Sequence, residues 1–317
     1  FPTNHPQFFG THSLRSAADR ALLKEVDLVL TVGMNTFDDI FYWGDVVLSS
    51  ATKLIHIDPD PGQVGKSEPT DVGIVSHCGM ALDELAQAVR SRLTPELEAS
   101  VQSRLEGVKK EAVQGRKSFD DSVIDKWEST PMSPARMMSE LANALPSDAM
   151  VVDDSISHRG TMRHYFQGEK RGDIVGVRGG SIGGGIGATM GMQCANPDRP
   201  VFGVIGDGSA MMTIQGLWTA ANDNIPCVFI ICNNGMYRVL KTNFNVYQTD
   251  ILNIDEPAGR NLLYSDFPLP HDIAATAMSM GVHGERIEDP SEIGPAVKRA
   301  LASGNPALLD IIIDGSL

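Results

Sequence analysis

The stretch Val201-Phe202-Gly203-Val204-Ile205-Gly206-Asp207-Gly208-Ser209 is an apolar run that passes directly into a glycine-rich turn. A short continuous apolar run of this kind is typical of a strand buried on both faces of a parallel sheet. A helical pattern at 213–222 separates it from a second apolar run, 228–232, which ends at Asn233-Asn234-Gly235. Strand, helix and strand in this order predict a parallel α/β sheet whose ligands lie at the carboxyl ends of the strands.

The same alternation continues on both sides of this stretch. Buried-strand patterns occur at 27–33, 53–58, 150–153, 174–177 and 308–313. Further helices are predicted at 133–145, 185–195, 271–280 and 291–302. We therefore expect an α/β protein with two doubly wound parallel-sheet domains, 1–93 and 130–317, joined by a charged, glycine-poor helical linker at 94–129.

Composition excludes several classes of protein. The 317 residues are 42% hydrophobic and 21% charged, which is typical of a folded, soluble chain. Forty acidic against 26 basic residues give a net charge of −14, which disfavours nucleic-acid binding. No apolar run approaches the ~20 residues needed to cross a bilayer, so no membrane role is expected. Four cysteines without a CxxC pair indicate reduced thiols and a cytoplasmic setting.

Glycine is concentrated where the predicted strands turn into helices. Eleven of the 31 glycines fall between Gly176 and Gly208. The backbone amides of the 206–209 turn, at the start of a helix, would face an anion such as a diphosphate. Asp207 adds a negative charge there, which is favourable only with a cation between the carboxylate and the anion. A hard divalent cation, which prefers oxygen ligands, would bind both the Asp207 carboxylate and the anion.

Asn234 supplies a second oxygen at the same edge of the predicted sheet, because it ends the neighbouring strand. A local turn after it would let the backbone carbonyl of Met236 become a third ligand. In the first domain, Asp58 ends a strand as a ribose-binding carboxylate does. The preceding turn, Gly33-Met34-Asn35-Thr36, lacks the GxGxxG pattern, so a plain scaffold is the alternative there.

The pair Gly206-Asp207-Gly208 and Asn233-Asn234, in its strand–helix–strand context, resembles the motif of the thiamine-diphosphate-dependent enzymes. The chain resembles the benzoylformate decarboxylase and acetolactate synthase group, with residues 1–93 resembling the middle domain and about 130–314 the diphosphate-binding domain. The resemblance implies thiamine diphosphate and Mg²⁺ as cofactors. It implies Asp207, Asn234 and the Met236 carbonyl as metal ligands, with Gly206, Gly208 and Ser209 at the diphosphate.

The resemblance implies two further cofactor contacts. Ser155 and Ser157, after strand 150–153, match a loop that touches the diphosphate or the substrate; helix capping is the alternative. Ile182, with Gly180 and Ser181 beside it, matches the bulky apolar residue that holds the cofactor in its bent shape. An ordinary core isoleucine is the alternative reading of this position.

Some of the residues that the resemblance places near the substrate depart from the family's pattern. His5, in Phe1-Pro2-Thr3-Asn4-His5-Pro6, matches an active-site histidine of benzoylformate decarboxylase and could move a proton, or it could be incidental. The substrate pocket is expected to comprise Gly176, Arg178, Val239, Leu240 and Asn243. Gly176 and Asn243 replace aromatic residues of benzoylformate decarboxylase, so the pocket departs from a benzoyl type. Arg178 and His158 could meet a substrate carboxylate or simply be solvated.

The implied activity is decarboxylation or carboligation of a 2-oxo acid, in which the cofactor accepts the electron pair and the protein supplies orientation. The alternatives are a 2-hydroxyacyl-CoA lyase and a regulatory or structural relative without catalysis. The family also uses a pyrimidine-binding domain, contributed across a homodimer or homotetramer. No segment of this sequence matches it, so we expect it in an upstream part of the same polypeptide or in a second subunit.

Overall fold

The protein is described by a computed structural model that covers residues 2–3, 5–37, 47–166, 168, 172–177, 181–254, 262–269 and 271–317. The chain divides into two compact units. The amino-terminal unit contains residues 11–107 and 250–252. The carboxyl-terminal unit contains residues 1–10, 108–249 and 253–317.

The amino-terminal unit is built on a parallel sheet of three strands. Its elements are α1 (Ala17–Glu25), β1 (Leu28–Val32), β2 (Lys53–Asp58), β3 (Val72–Val75) and α2 (Cys78–Arg90). The strand order is β1-β2-β3, with both pairs parallel. The side chain of Ser16 accepts a hydrogen bond from the Asp19 amide and starts α1. Leu54 and Ile57 of the central strand are fully buried, as the apolar pattern predicts.

The 94–129 segment is helical, as its charged pattern predicts. Helix α3 (Pro95–Val123) begins with proline at its first position, where the missing backbone donor costs nothing. None of its residues is buried, which explains its weak apolar periodicity. The boundary between the two units falls within this helix, between residues 107 and 108. Its role as a linker stays a prediction.

The carboxyl-terminal unit contains a six-stranded parallel sheet. Its strands are β4 (Met150–Asp154), β5 (Ile174–Gly176), β6 (Val201–Gly206), β7 (Val228–Asn233), β8 (His283–Ile287) and β9 (Ala307–Ile312). Its helices are α4 (Pro134–Ala144), α5 (Arg159–Tyr165), α6 (Gly185–Ala195), α7 (Asp207–Ala210), α8 (Gly216–Asn222), α9 (Arg238–Val246), α10 (Ile273–Ser279) and α11 (Ile293–Ser303). The strand order is β5-β4-β6-β7-β9-β8, and every pair is parallel.

Apolar side chains cover both faces of this sheet. In β6, Phe202 and Val204 join a core with α4, α5 and α11, whereas Val201 and Ile205 join a core with α6, α8 and α10. Adjacent residues of a strand point to opposite faces, so a strand covered on both sides is apolar throughout. Gly203 lies against α6, where an added Cβ would collide with the Thr189 side chain.

The predicted α/β fold of parallel sheets with flanking helices is confirmed. The predicted strands and helices are all present, with bounds that differ by a few residues. The sequence patterns missed the edge strands β3 and β8 and the helices α1, α2, α5 and α9. Within the described residues, every helix is too short or too polar to cross a membrane.

Candidate functional site

The carboxyl ends of β4 and β6 form a switch point in the carboxyl-terminal unit. The chain leaves β4 toward β5 on one side, and leaves β6 toward β7 on the other. Connections that diverge in this way open a crevice between the two strand ends, where ligands of doubly wound sheets bind. The loops after β4, β6 and β7 all border this crevice.

Asp207 stands at the end of β6 and begins the short helix α7. Its Oδ1 accepts a hydrogen bond from the Gly208 amide at 2.7 Å, and its Oδ2 accepts one from the Gly235 amide at 2.7 Å. Only 3% of the residue is exposed, and this burial raises the pKa of the carboxyl to about 6. In the part of the chain that the structure describes, no lysine or arginine pairs with it.

Asn234 faces Asp207 from the end of β7. Its Oδ1 accepts a hydrogen bond from the Met236 amide at 3.0 Å, and its Nδ2 lies 3.2 Å from Nε2 of His158. Gly235, between Asn234 and Met236, has a φ of +68°, which glycine adopts without strain. The amide that this turn aims back at Asp207 therefore ties the two strand ends together.

His158 completes this contact from the loop after β4. The residue is 3% exposed, and desolvation together with the nearby Arg238 lowers the pKa of its imidazole to about 4. The ring is therefore neutral at physiological pH. A neutral ring leaves Nε2 able to accept a hydrogen bond from the Asn234 amide, which turns Oδ1 of Asn234 toward the Met236 amide.

The loop between β4 and α5 is held in an unusual conformation. Ile156 has a φ of +50°, which is strained for a β-branched residue. The amide and hydroxyl of the preceding Ser155 both donate to Oδ1 of Asp153, at 3.1 and 2.7 Å. Arg159 donates to the other oxygen of Asp153 at 2.8 Å. A fully buried carboxylate thus fixes the backbone that carries both predicted serines.

A pocket of about 340 Å³ brings most of the predicted cofactor residues together. Its lining includes the predicted Ser155, Ser157, Ile182, Gly206, Asp207, Gly208, Ser209, Asn234, Met236, Val239 and Leu240. His158, Tyr237 and Arg238 also line it, the last two from the stretch 237–243 that was expected to cover the substrate pocket. Ile156 and Met212 line it too, and sequence reasoning did not single them out. Ile182 is 37% exposed, so it is not an ordinary core isoleucine.

The other predicted site residues that the structure describes lie outside this lining. His5 accepts a hydrogen bond from the Gln7 amide at its Nδ1, 3.1 Å away, in an exposed turn. Gly176 is half-buried beside Arg163, Ser181 is exposed, and Asn243 lies on α9. Arg178 and Gly180 fall outside the described residues.

Asp154 is a buried site residue that sequence reasoning missed. Its Oδ2 accepts hydrogen bonds from the Ser209 hydroxyl and, at 2.9 Å, from the Gly185 amide, while Ser209 Oγ accepts from the Gly183 amide at 2.7 Å. One carboxylate thereby joins the 206–209 turn to the glycines before α6. A second aspartate at the end of β4, directly after Asp153, was the signal available in the sequence.

The donor set fits a hard divalent cation. No group of three or more histidine, cysteine, aspartate or glutamate side chains could hold a metal ion anywhere in the described ranges. A cation in this pocket would use the Asp207 carboxylate, the Asn234 amide oxygen and a backbone carbonyl, which are the oxygen ligands that Mg²⁺ prefers. Asp207 is buried without a counter-charge among the described residues, so a bound cation would favour its ionised form.

Two family models match the chain. The model described as "Thiamine pyrophosphate enzyme, C-terminal TPP binding domain" matches residues 157–311, and "Thiamine pyrophosphate enzyme, central domain" matches residues 1–85. The chain belongs to the thiamine pyrophosphate enzyme family. The C-terminal match includes the pocket residues from Ser157 to Leu240.

Among curated relatives, the chain is 29% identical to the "Probable acetolactate synthase large subunit" of Methanococcus aeolicus, over 99% of this chain and 51% of the relative. It is 28% identical to the benzoylformate decarboxylase of Pseudomonas aeruginosa, over 98% of this chain and 53% of the relative. The chain thus spans about half the length of the curated relatives it matches.

Solved structures also match nearly the whole of this chain and about half of their own length. The thiamine diphosphate-dependent 4-hydroxybenzoylformate decarboxylase of Rhodococcus jostii matches with a TM-score of 0.75 and 29% identity, covering 99% of this chain and 54% of that chain. A benzoylformate decarboxylase from Polynucleobacter necessarius matches with a TM-score of 0.74 at 18% identity, which supports the fold alone. The family membership inferred from the Asp207 and Asn234 motif is confirmed.

Proposed function

We propose that this chain holds the diphosphate and Mg²⁺ of thiamine diphosphate in an enzyme that decarboxylates or carboligates a 2-oxo acid. The observation that carries the proposal is the buried carboxylate of Asp207, which lines the same pocket as Asn234, both within the matched C-terminal domain. The relatives named for acetolactate synthase and benzoylformate decarboxylase support a 2-oxo acid as the substrate class.

Each group of the pocket then has a role. Asp207, Asn234 and the Met236 carbonyl bind the cation, and the amides of the 206–209 turn with Ser155 and Ser157 bind the diphosphate. Bound thiamine diphosphate supplies an electron sink for the carbon–carbon bond that breaks or forms. The exposed Ile182 supports the organic part of the cofactor, and neutral His158 keeps Asn234 oriented.

The substrate is expected to enter over Val239 and Leu240, on the first turn of α9. Leu240 is 47% exposed, so an apolar surface is available to a substrate side chain. Gly176, Arg178, Asn243 and His5 remain candidates for contacts with the substrate or for proton transfer. A carboxylate for the aminopyrimidine ring would come from a pyrimidine-binding domain outside these 317 residues, within a homodimer or homotetramer.

Calorimetric titration with thiamine diphosphate and Mg²⁺ tests the proposal on this chain directly. We expect weak, Mg²⁺-dependent binding and no turnover of 2-oxo acids by the chain alone. Asp207→Ala should abolish the heat of binding. Asp198→Ala is the matched control, because Asp198 is exposed in the turn that leads into the opposite, amino end of β6. The assignment is wrong if wild type does not bind, or if Asp207→Ala binds as well as wild type.

A further inference from the structure

Residues 265–267 lie directly against the turn that follows Asn234. The Tyr237 amide donates to the Ser265 carbonyl at 2.7 Å, and the Phe267 amide donates to the Gly235 carbonyl at 2.8 Å. Between these two hydrogen bonds, Met236 and Asp266 form an antiparallel bridge. We call residues 265–267 the buttress. It fixes the peptide units on both sides of Met236.

An ion pair anchors the buttress to α9. The ammonium of Lys241 donates to Oδ1 of Asp266. The lysine side chain is only 8% exposed, whereas the aspartate side chain is 54% exposed. Removing one member of such a pair leaves a buried charge without a partner, which is strongly unfavourable. The buried ammonium of Lys241 therefore holds Asp266, and with it the whole buttress, in one position.

The buttress also reaches the 206–209 turn. The rings of Tyr237 and Phe267 pack edge to face with their centroids 4.8 Å apart. Both rings lie against Gly208, where an added Cβ would collide with Tyr237 and come within 3.2 Å of Phe267. The buttress thus contacts the loop after β7 through all three of its residues and the loop after β6 through Phe267.

We infer that Lys241 and Asp266 are positioning residues, which hold the Met236 carbonyl and the Gly208 amide where magnesium and diphosphate bind. The inference rests on the proposed function for the identity of the ligand. Neither side chain lines the cofactor pocket, so both act through the buttress. Preorganised oxygen ligands bind a cation more tightly than ligands that must be ordered on binding, because the ordering entropy is already spent.

The test compares charge-removing variants with conservative ones. Asp266→Asn and Lys241→Met break the ion pair at nearly constant volume, while Asp266→Glu and Lys241→Arg keep it. Glu128→Gln is the matched control, since it removes an exposed carboxylate (83% exposed) from the 18% exposed Arg136 in the same unit. Amide hydrogen exchange is measured at Tyr237 and Phe267, and binding of thiamine diphosphate with Mg²⁺ is measured by calorimetry.

We expect Asp266→Asn and Lys241→Met to speed exchange at the Tyr237 and Phe267 amides at least tenfold, with β6 and β7 amides unchanged. Cofactor affinity should fall at least tenfold, and the conservative variants should restore both. Unchanged exchange at the two amides, or faster exchange with unchanged affinity, would overturn the inference. Because exchange is read without ligand, failure of wild type to bind the cofactor contradicts the proposed function separately.

Discussion

Asp207 shows how strongly burial changes the acidity of a single carboxyl group. Its carboxylate accepts hydrogen bonds from two backbone amides, yet desolvation outweighs them and raises the pKa to about 6. In the unfolded chain the same group ionises near its ordinary value of 3.8. The folded protein therefore binds this proton more tightly than the unfolded chain. Stability from this group is complete below about pH 4 and is lost as the pH rises through about 6.

Comparing wild type with Asp207→Asn across pH isolates this contribution. The asparagine does not titrate, and its altered hydrogen bonds give an offset that is the same at every pH. Between pH 4 and pH 7, the unfolding free energy of wild type should fall by about 2 kcal/mol relative to the variant. Denaturant unfolding at each pH measures this difference in unfolding free energy. Saturating Mg²⁺ with thiamine diphosphate should remove its fall with pH. A difference that stays constant with pH would show that Asp207 is already ionised without a cation.

At this scale the sequence predicted the residues that end strands, and missed those that support them. Asp207 and Asn234 could be found because neighbouring parallel strands end at one edge. Asp154 could not be assigned, because its role depends on Ser209 and Gly185, which lie 55 and 31 residues away. The buttress was invisible for the same reason: a backbone bridge between Met236 and Asp266 leaves no pattern in side-chain types.

The glycines around the start of α6 differ in what they do for this element. Gly183 has a φ of +94°, and an added Cβ would lie 2.7 Å from Cβ of Met212. Gly187, inside the helix, has open space around it. Of the two, only Gly183 is required by its backbone conformation and by the close approach of Met212. The second weakens the helix through its backbone freedom.

This contrast predicts opposite effects for two similar substitutions. Gly183→Ala should lower the unfolding free energy by roughly 1–3 kcal/mol through strain and overpacking, and should weaken cofactor binding because the Gly183 amide donates to Ser209. Gly187→Ala should raise the unfolding free energy by about 0.5–1 kcal/mol and leave cofactor affinity unchanged. Chemical denaturation and calorimetric titration measure both. Equal effects of the two substitutions would refute a special role for the loop before α6.

The strands that are buried on both faces of the sheet gave the clearest sequence patterns. Strands β6 and β7 are covered on both faces and read as continuous apolar runs. The edge strand β8 is only partly buried and carries glycine and charged residues, so its composition resembles that of a loop. The edge strand β3 is apolar, but it is only four residues long, contains a glycine and is mostly exposed, so it gives a weak pattern. Helix α9 was missed because its buried face includes Lys241, whose place there depends on a partner 25 residues away.

The two units of the molecule differ in how many apolar side chains they bury. Among the described residues of the amino-terminal unit, the buried apolar side chains are Leu14, Leu48, Leu54 and Ile57. The carboxyl-terminal unit has two large clusters, one on each face of its six-stranded sheet. Burial of apolar surface is the main favourable contribution to folding, so the amino-terminal unit should be the less stable. The proposed cofactor pocket lies entirely within the more stable unit.

Scanning calorimetry with and without ligand tests this unequal arrangement. We expect two transitions, with the amino-terminal unit unfolding first. Thiamine diphosphate with Mg²⁺ at about a hundredfold excess over its dissociation constant should stabilise the other unit by about 2.7 kcal/mol, which raises its midpoint by roughly 5–10 °C. The first transition should not move, and Asp207→Ala should abolish the shift in the second. One shared transition, or equal shifts in both, would mean that the ligand stabilises the two units together, so the site could not be assigned to the carboxyl-terminal unit alone.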